Sequence, residues 1–187
     1  ADIVADLVRA GVAIHVFNQR DVAGILAMIR TLGAIVGAAE RAEQLARGFE
    51  QRLAAVAATP RRGPKPRVYF EEWDDPLISG IGWVSELIEI AGGEDALPKL
   101  RLQQAAKDRI TSPDAVREAA PDVIIASWCG KKVVPDRIRA RPGWRDIPAV
   151  ANDRIVEIKS ALILQPGPAA LTDGLDAIVK ALWPASP

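Results

Sequence analysis

Four carboxylates and one tryptophan lie within five consecutive residues, Glu71 to Asp75, directly after the apolar run Val68–Phe70. So much negative charge at the end of an apolar run can serve three kinds of chemistry. Carboxylate oxygens bind hard cations such as Ca²⁺ or Mg²⁺, and two carboxyl groups with different pKa values can act as general acid and general base. Alternatively, the tryptophan and the acids form the lip of a ligand cleft, because an indole suits a flat organic ligand.

The residues around this stretch favour the cleft over the metal site and the catalytic acids. The only histidine, His15, is far away in sequence, so a metal site would have to use carboxylates alone. Cys129 precedes Lys131 and Lys132, cations that favour a thiolate, but the histidine that usually partners a catalytic cysteine is missing from this region. We therefore predict a binding protein that is not an enzyme and has no metal of its own, with an all-carboxylate cation site as the open alternative.

Strands and helices alternate from residue 67 to the end of the chain. Short apolar runs predict the strands, and apolar residues spaced by three and four predict the helices. The predicted strands cover 67–70, 122–126 and 154–158, and the predicted helices cover 83–91, 113–119, 135–141 and 168–182. Ser112 is placed to cap the helix that begins at Pro113. This alternation is typical of a doubly wound α/β lobe with a mainly parallel sheet.

The loops that follow these strands should meet at the carboxyl edge of the sheet, where ligands bind in doubly wound folds. Two of the three loops carry a tryptophan near their start, and we expect both indoles to contact the ligand. Lys131 could face a phosphate or carboxylate of the ligand, with Lys132 pointing to solvent. The carboxylates of residues 71–75 are expected to stay solvated or to accept hydrogen bonds from the ligand. The predicted ligand-binding residues are Trp73, Asp74, Trp128, Lys131, Ser160 and Gln165.

The first 58 residues predict a different organisation. A helix over 2–10 is followed by an apolar strand at 12–17, and apolar residues then recur with helical spacing from 21 to 58. Gly33 and Gly37 can interrupt this stretch. An unbroken helix of that length would run about 55 Å, so it must either kink or connect two lobes. We divide the chain into a helix–strand unit (1–18), a long helical stretch (19–58), a linker (59–66) and an α/β ligand-binding lobe (67–187).

The composition is that of an ordinary globular protein. Of 187 residues, 49% are apolar and 26% are charged, with 24 basic and 24 acidic side chains. A net charge near zero argues against nucleic-acid binding, which needs a basic face. The single cysteine excludes an internal disulfide, and no apolar run approaches the roughly 20 residues that cross a bilayer. No signal-peptide pattern opens the chain, which we interpret as a mature or trimmed protein.

Several stretches of the α/β lobe form a recognisable series. The longest are VYFEEWDDPLISG at 68–80 and WVSELIEIAGGE at 83–94. Shorter pieces follow: SPD at 112–114, APDVII at 120–125, RPGW at 141–144 and IPAV at 147–150. In order and spacing these stretches resemble the second lobe of periplasmic binding proteins that take up cobalamin, haem and iron–siderophore chelates. Together they span residues 59–187, and the cobalamin-binding branch fits best. The helical stretch before them resembles the backbone helix that joins two lobes in this family.

This resemblance implies a function. A protein of this family binds a corrinoid or related metal chelate in a cleft between two lobes and delivers it to the inner-membrane permease of an ABC importer. It is periplasmic, performs no chemistry and needs no cofactor of its own. Family members carry a complete first lobe, of which only residues 1–18 would be present here. The carboxylate that docks on the permease corresponds to Asp114, with Glu118 one turn further as the second candidate.

Two other functions stay open at this stage. Related lobes occur in metallocofactor-binding enzyme components of the chelatase and nitrogenase type, although these need histidine or cysteine ligands at the cleft. A stand-alone domain that associates with itself is the other alternative. An exposed strand at 12–17 would favour pairing with a second copy. We therefore expect a homodimer, in one form exchanging residues 1–58 between chains.

Overall fold

A computed structural model describes residues 2–184 and has a five-stranded sheet at its centre. The strands are β1 (Arg67–Asp74), β2 (Leu77–Ser79), β3 (Glu94–Asp95), β4 (Val123–Ala126) and β5 (Ile155–Glu157). Their order is β2-β1-β4-β5, and the short β3 lies beside β1. β1 pairs with β3 and β4 in parallel, β4 pairs with β5 in parallel, and β2 pairs with β1 antiparallel. The doubly wound α/β class predicted from the sequence is confirmed.

The register brings the carboxyl ends of three parallel strands to one edge of the sheet. Glu71 of β1 lies opposite Ala126 of β4, and Ala126 lies opposite Glu157 of β5. β1 continues past this point to Asp74, which pairs with Leu77 of β2. The loops after β1, β4 and β5 therefore emerge side by side, as the doubly wound fold requires of a ligand site.

Helices cover both faces of the sheet. In chain order they are α1 (Asp2–Arg9), α2 (Val22–Ile35), α3 (Ala39–Ala58), α4 (Gly82–Ile90), α5 (Pro113–Ala119), α6 (Pro135–Arg139), α7 (Pro148–Ala151), α8 (Ser160–Ile163) and α9 (Leu175–Leu182). A π-helical turn over Ala170–Gly174 leads into α9, and 3-10 turns cover Leu100–Leu102 and Ala106–Arg109. The predicted helices of the lobe agree with these bounds to within about two residues. Across residues 2–184, no helix combines the length and apolar character that crossing a membrane requires.

The sheet separates two apolar layers, because successive residues of a strand point to opposite faces. On one face, Val68 and Phe70 of β1 belong to a core that also includes side chains of α2, α3, α4 and α9. On the other face, Tyr69 of β1 and Ile124 of β4 belong to a second core, which also contains Trp144, the last residue of the RPGW segment. Because the two cores cover both faces of the sheet, all four residues of the central strand β4 are buried.

The helical stretch at 19–58 is not one continuous helix, and it breaks at Gly37, one of the two glycines expected to interrupt it. Residues 36–38 interrupt it, with Gly37 at φ +72°, and α2 and α3 fold back on each other as an antiparallel pair. The close approach depends on Gly33, because a Cβ at this position would lie 2.1 Å from Cβ of Ala42. Arg30 of α2 also forms an ion pair with Glu43 of α3, with Nε 2.6 Å from Oε2. The apolar residues keep helical spacing on both sides of the turn, so the sequence pattern alone does not distinguish two helices from one.

The strand expected at 12–17 is also wrong. α1 forms as predicted, but residues 12–20 have neither helix nor strand, and Val12 and Val16 are 48% and 66% exposed. A strand needs a neighbour to pair its backbone groups. None of the described strands lies beside this segment, so its apolar sequence alone does not make it a strand.

Candidate functional site

The loops after β4 and β5 enclose an open pocket at the carboxyl edge of the sheet. Its volume is about 510 Å³, within the range of small-molecule sites. One side comes from the loop after β4 and the other from the end of β5 and the start of α8. The lining residues are Trp128, Gly130, Lys131, Lys132, Glu157, Ile158, Lys159, Ser160 and Ala161. Among the predicted ligand-binding residues, Trp128, Lys131 and Ser160 therefore line one pocket.

Trp73, near the end of β1, is not part of the pocket lining but contacts it through Lys131. The ammonium of Lys131 lies 4.1 Å from the ring centroid of Trp73 and 5.1 Å from that of Trp128. Both distances are within the reach of cation–π attraction. The indole N–H of Trp73 donates a 2.9 Å hydrogen bond to the carbonyl of Asp75, which fixes the ring direction. The two tryptophans expected at one edge of the sheet thus lie together around a single lysine.

Trp128 is held in place by a buried carboxylate. The residue is 2% exposed, and its Nε1 donates a hydrogen bond of 2.9 Å to Oε1 of Glu71. Arg141 donates to both oxygens of Glu71, with Nη2 2.9 Å from Oε1. The guanidinium of Arg141 also lies 4.5 Å from the ring centroid of Trp144. Glu71 therefore joins the pocket wall to the RPGW segment behind it.

Asp74 is neutralised by two cations. Its side chain is 2% exposed and accepts a hydrogen bond from the ammonium of Lys131, while Nη2 of Arg137 lies 3.2 Å from Oδ2. Burial alone would raise the pKa of Asp74, but the hydrogen bond and charge of Lys131, together with the charge of Arg137, outweigh burial and lower it below its ordinary value. Asp74 was expected to contact the ligand directly. Its position instead makes it the residue that orients Lys131.

Glu72 completes the set of internal ion pairs. Nη1 of Arg109 lies 2.6 Å from Oε2 of Glu72, and Arg109 is only 2% exposed. The same guanidinium donates to the carbonyl oxygen of Ser79. This contact ties β1 to β2 and to the segment before α5.

The expectation that the acidic stretch stays solvated or binds the ligand is wrong for Glu71, Glu72 and Asp74. Carboxylates this well buried need counterions, and three arginines and a lysine supply them. These four ion pairs leave Asp75 as the one carboxylate of the stretch without a counterion among residues 2–184, which is too few for an all-carboxylate cation site. Among the residues that the structure describes, no group of three or more His, Cys, Asp and Glu side chains could hold a metal.

The arginine partners were missed because they are distant in sequence. Arg109 is 37 residues from Glu72, and Arg141 is 70 residues from Glu71. The chain contains as many basic as acidic side chains, so cations were available to pair with these acids. The sequence gives no rule, however, for choosing which of its many arginines do so.

Gln165 lies away from the pocket. The short helix α8 begins at Ser160 and carries the chain away from the end of β5, so Gln165 is exposed after this helix and is absent from the lining. Cys129 is an exposed free thiol in the loop after β4. Its neighbours Trp128 and Gly130 line the pocket, whereas Cys129 does not.

The predicted docking residues lie at the same end of the lobe as the pocket. The backbone N–H of Thr111 donates a 2.9 Å hydrogen bond to the carbonyl of Leu77, next to the carboxyl end of β1. α5 starts two residues later, capped by Ser112, whose Oγ accepts from the N–H of Ala115 at 3.1 Å. The side chain of Asp114 is 76% exposed and pairs with Arg117 at 3.1 Å. Glu118, one turn further, is also exposed.

Two other depressions lack the convergence of groups that the pocket shows. One of about 280 Å³ lies between α2 and α3 and has a mainly apolar lining that includes Leu32, Val36 and Leu45. Another of about 460 Å³ runs along α3 alone, where Glu43 and Arg47 pair with each other. The pocket at the strand ends combines aromatic, basic and hydroxyl groups from different loops, which is the pattern of a small-molecule site.

Comparison with protein families and curated proteins gives consistent matches. The profile of the family described as "Periplasmic binding protein" matches residues 4–162. An uncharacterized ABC transporter substrate-binding lipoprotein of Bacillus subtilis (strain 168), YvrC, is 23% identical over 191 residues. The match covers 98% of this chain and 58% of that protein, so the chain spans little more than half the length of this relative.

Solved structures share the fold. An ABC transporter substrate-binding protein from Listeria monocytogenes EGD-e superposes with a TM-score of 0.82 at 18% identity, covering 97% of this chain and 72% of that one. The periplasmic heme-binding protein RhuT from Roseiflexus sp. RS-1 gives 0.78 at 26% identity, covering 97% and 72%. The periplasmic vitamin B12 binding protein BtuF of Vibrio cholerae gives 0.68 at 21% identity, covering 97% and 69%. These proteins are described as binding proteins and not as enzymes.

Proposed function

The chain belongs to the periplasmic binding protein family, and we propose on that basis that it is the substrate-binding component of an ABC importer. The observation that carries the proposal is the pocket at the carboxyl edge of the sheet, with Trp73 and Trp128 beside Lys131. The buried ion pairs of Glu71 and Asp74 support a binding role, because they hold an indole and an ammonium in fixed positions. Preformed surfaces of this kind bind with less loss of conformational entropy.

The proposed ligand is a metal chelate with a large flat macrocycle, a corrinoid or a related compound such as haem. Relatives described as heme-binding and vitamin B12 binding support this class. In this proposal the half-buried Trp73, next to Lys131, gives such a ring an aromatic surface beside the lining, and Ser160 gives it a polar contact. The enzyme alternative of the chelatase type lacks support, since the family consists of binding proteins.

We propose that the lobe at 67–187 carries one half of the ligand cleft. In this proposal residues 1–18 belong with a first lobe, the helical pair at 19–58 connects the lobes, and 59–66 is a linker. The protein works in the periplasm or at the outer face of the cytoplasmic membrane, as the names of its relatives suggest. The permease then meets the lobe at Asp114, with Glu118 as the second contact.

Self-association is the second partner proposal. α1 and the segment after it expose apolar side chains, among them Ile3 at 75%, Val8 at 58% and Val16 at 66%. Apolar groups on one segment favour burial against another copy of the chain. Sedimentation velocity at tens of micromolar should show a dimer, and a monomer at that concentration would refute it.

Titration of the chain with cyanocobalamin and with haem tests the proposed function. Binding should shift the visible absorbance of the macrocycle and raise the midpoint of thermal unfolding, because a ligand that binds the folded state stabilises it. If neither compound changes either signal, the assignment to macrocyclic chelates is wrong.

A further inference from the structure

The charge of Lys131 is already balanced within the protein. Its ammonium donates to Asp74 and lies over the rings of Trp73 and Trp128. The sequence suggested that Lys131 would meet an anionic group of the ligand while Lys132 pointed to solvent. The structure favours the opposite assignment. The ammonium of Lys131 is already paired with a carboxylate and packed against two indoles, so it is less available to an anionic group of the ligand.

Lys132 and Lys159 are the two lining lysines that form no ion pair within residues 2–184. Both line the pocket, Lys132 from the loop after β4 and Lys159 directly after β5. Both are exposed, and neither pairs with a carboxylate anywhere in residues 2–184. They come from the ends of adjacent parallel strands, Ala126 and Glu157 being register partners, so they approach the pocket from two sides.

The surroundings of the pocket are basic although the chain as a whole is neutral. The lining contains three lysines, Lys131, Lys132 and Lys159, against one carboxylate, that of Glu157. Lys131 pairs with Asp74 outside the lining, and Asp74 in turn pairs with Arg137. Oε1 of Glu157 accepts a 3.2 Å hydrogen bond from the backbone N–H of Val133 in the loop after β4. A local positive excess in a concave site attracts anions.

We propose that the pocket selects a macrocyclic chelate that carries free carboxylates, and that Lys132 and Lys159 receive them. The inference rests on the proposed function and narrows the class of ligand. Corrinoids with amide side chains and chelates with acidic side chains both present a large macrocycle, but only the second kind is negatively charged. Ammonium-to-carboxylate hydrogen bonds are stronger than neutral ones. The indole of Trp73 contacts the ring in either case, so the two lysines set the preference between acid and neutral forms.

Pairs of compounds that share macrocycle and metal but differ in charge test this inference on the full chain. The pairs are haem with its dimethyl ester, and cobyrinic acid with its heptamethyl ester. In the unaltered protein the acid of at least one pair should bind about 10-fold or more tightly than its ester at about 0.05 M salt. The gap should narrow at about 0.5 M salt, where exposed charges are screened.

Two double variants assign the preference to the proposed residues. Lys132→Gln with Lys159→Gln should reduce the gap between acid and ester to less than about 3-fold without weakening the ester. Lys65→Gln with Lys107→Gln removes the same charge from exposed lysines outside the pocket and should leave the gap unchanged. The control separates the local effect from a change in overall charge.

The outcomes distinguish this inference from the proposed function. Equal affinity for acid and ester in the unaltered protein overturns the inference and leaves the binding function standing. A gap that survives in the Lys132 and Lys159 double variant overturns their role. If no acid or ester of either macrocycle binds, the proposed function fails and the inference fails with it.

Discussion

Lys131 connects three of the side chains on which the candidate site depends. Its ammonium contacts the carboxylate of Asp74 and lies near the rings of Trp73 and Trp128. Glu71 holds Trp128 from behind through the indole N–H. The acidic stretch at the end of β1 therefore acts through these neighbours, as a set of counterions that fixes aromatic and basic groups.

Asp74→Asn should change how the free energy of unfolding depends on pH, because it removes the charge that pairs with Lys131 and Arg137. Because the pKa of Asp74 is lowered in the folded protein, its ion pairs contribute fully above its ordinary pKa of 3.8 and are lost as the pH falls through the lower folded value. At pH 7, Asp74→Asn should reduce the free energy of unfolding by about 1–3 kcal/mol. The difference from the unaltered protein should shrink below about pH 4, measured by urea unfolding.

Asp75→Asn is the matched control for this prediction. Asp75 lies in the same stretch, but it is exposed and forms no ion pair with any residue of the described chain. Its substitution should change the free energy of unfolding by less than about 0.5 kcal/mol. An Asp74 variant that behaves like the Asp75 variant at every pH would show that the ion pairs of Asp74 contribute nothing to the fold.

Part of the site can be predicted from the sequence, and part cannot. Trp128, Lys131 and Ser160 follow strands whose carboxyl ends must meet, so the alternation of elements is enough to place them together. Asp74 and Glu71 form ion pairs with Arg137 and Arg141, which are distant in sequence and come close only in the folded chain. A local sequence pattern therefore does not predict these ion pairs. Gln165 was misplaced because the short helix α8 turns the chain away before this residue.

At the level of elements, the connection between α2 and α3 departs most from expectation. The sequence has helical spacing from 21 to 58, yet a three-residue turn reverses the chain. Gly37 takes up the positive φ of this turn, and Gly33 lets the two helices approach. The two glycines predict an interruption, but helical spacing on both sides does not tell a kink from a hairpin.

Gly33→Ala tests whether that approach matters. The added methyl would lie 2.1 Å from Cβ of Ala42 and 3.2 Å from the carbonyl oxygen of Ala38, so the helices must move apart. We expect the free energy of unfolding to fall by about 1–3 kcal/mol. Gly48→Ala changes a glycine in the interior of α3 with nothing within 4 Å, and it should raise the same quantity by about 0.5–1 kcal/mol. If both substitutions stabilise the protein, the tight contact between α2 and α3 is wrong.

The strands of the lobe were easier to predict than the segment at 12–17 for a physical reason. Val68–Phe70 of β1 and the whole of β4 are short apolar runs that pair with each other in the sheet, so local preference and tertiary pairing agree. The segment at 12–17 has the same kind of sequence but no partner among the described strands. Hydrophobic pattern identifies a candidate strand, and pairing decides whether it forms.

At the scale of the whole molecule, the pocket edge also presents the proposed permease contact. Asp114→Arg should abolish the complex with the permease while leaving ligand affinity unchanged. In the proposed contact the carboxylate of Asp114 meets cations of the permease, and an arginine at this position would repel them. Co-purification with the permease in nanodiscs, beside a ligand titration, measures both properties.

Asp136→Arg provides a closely matched control for the docking prediction. Asp136 also follows a proline in the first turn of a helix, is 89% exposed, and pairs with an arginine three residues later, as Asp114 does. Its charge reversal should leave the permease complex intact. If the complex still forms with Asp114→Arg, Asp114 does not dock on the permease and only stabilises the start of α5. Glu118→Arg would then test the second candidate.

The central claim is that Trp73 stands at a chelate-binding pocket, and the affinity of a Trp73→Ala variant tests it most directly. The matched control is Trp183→Ala, which removes another half-buried indole whose N–H also donates to a backbone carbonyl, that of Ala91. In absorbance titrations with haem or cyanocobalamin, Trp73→Ala should weaken binding by about 5- to 150-fold and Trp183→Ala by less than about 2-fold. Unchanged affinity in Trp73→Ala, or an equal loss in both variants, would contradict the placement of the ligand at the carboxyl edge of the sheet.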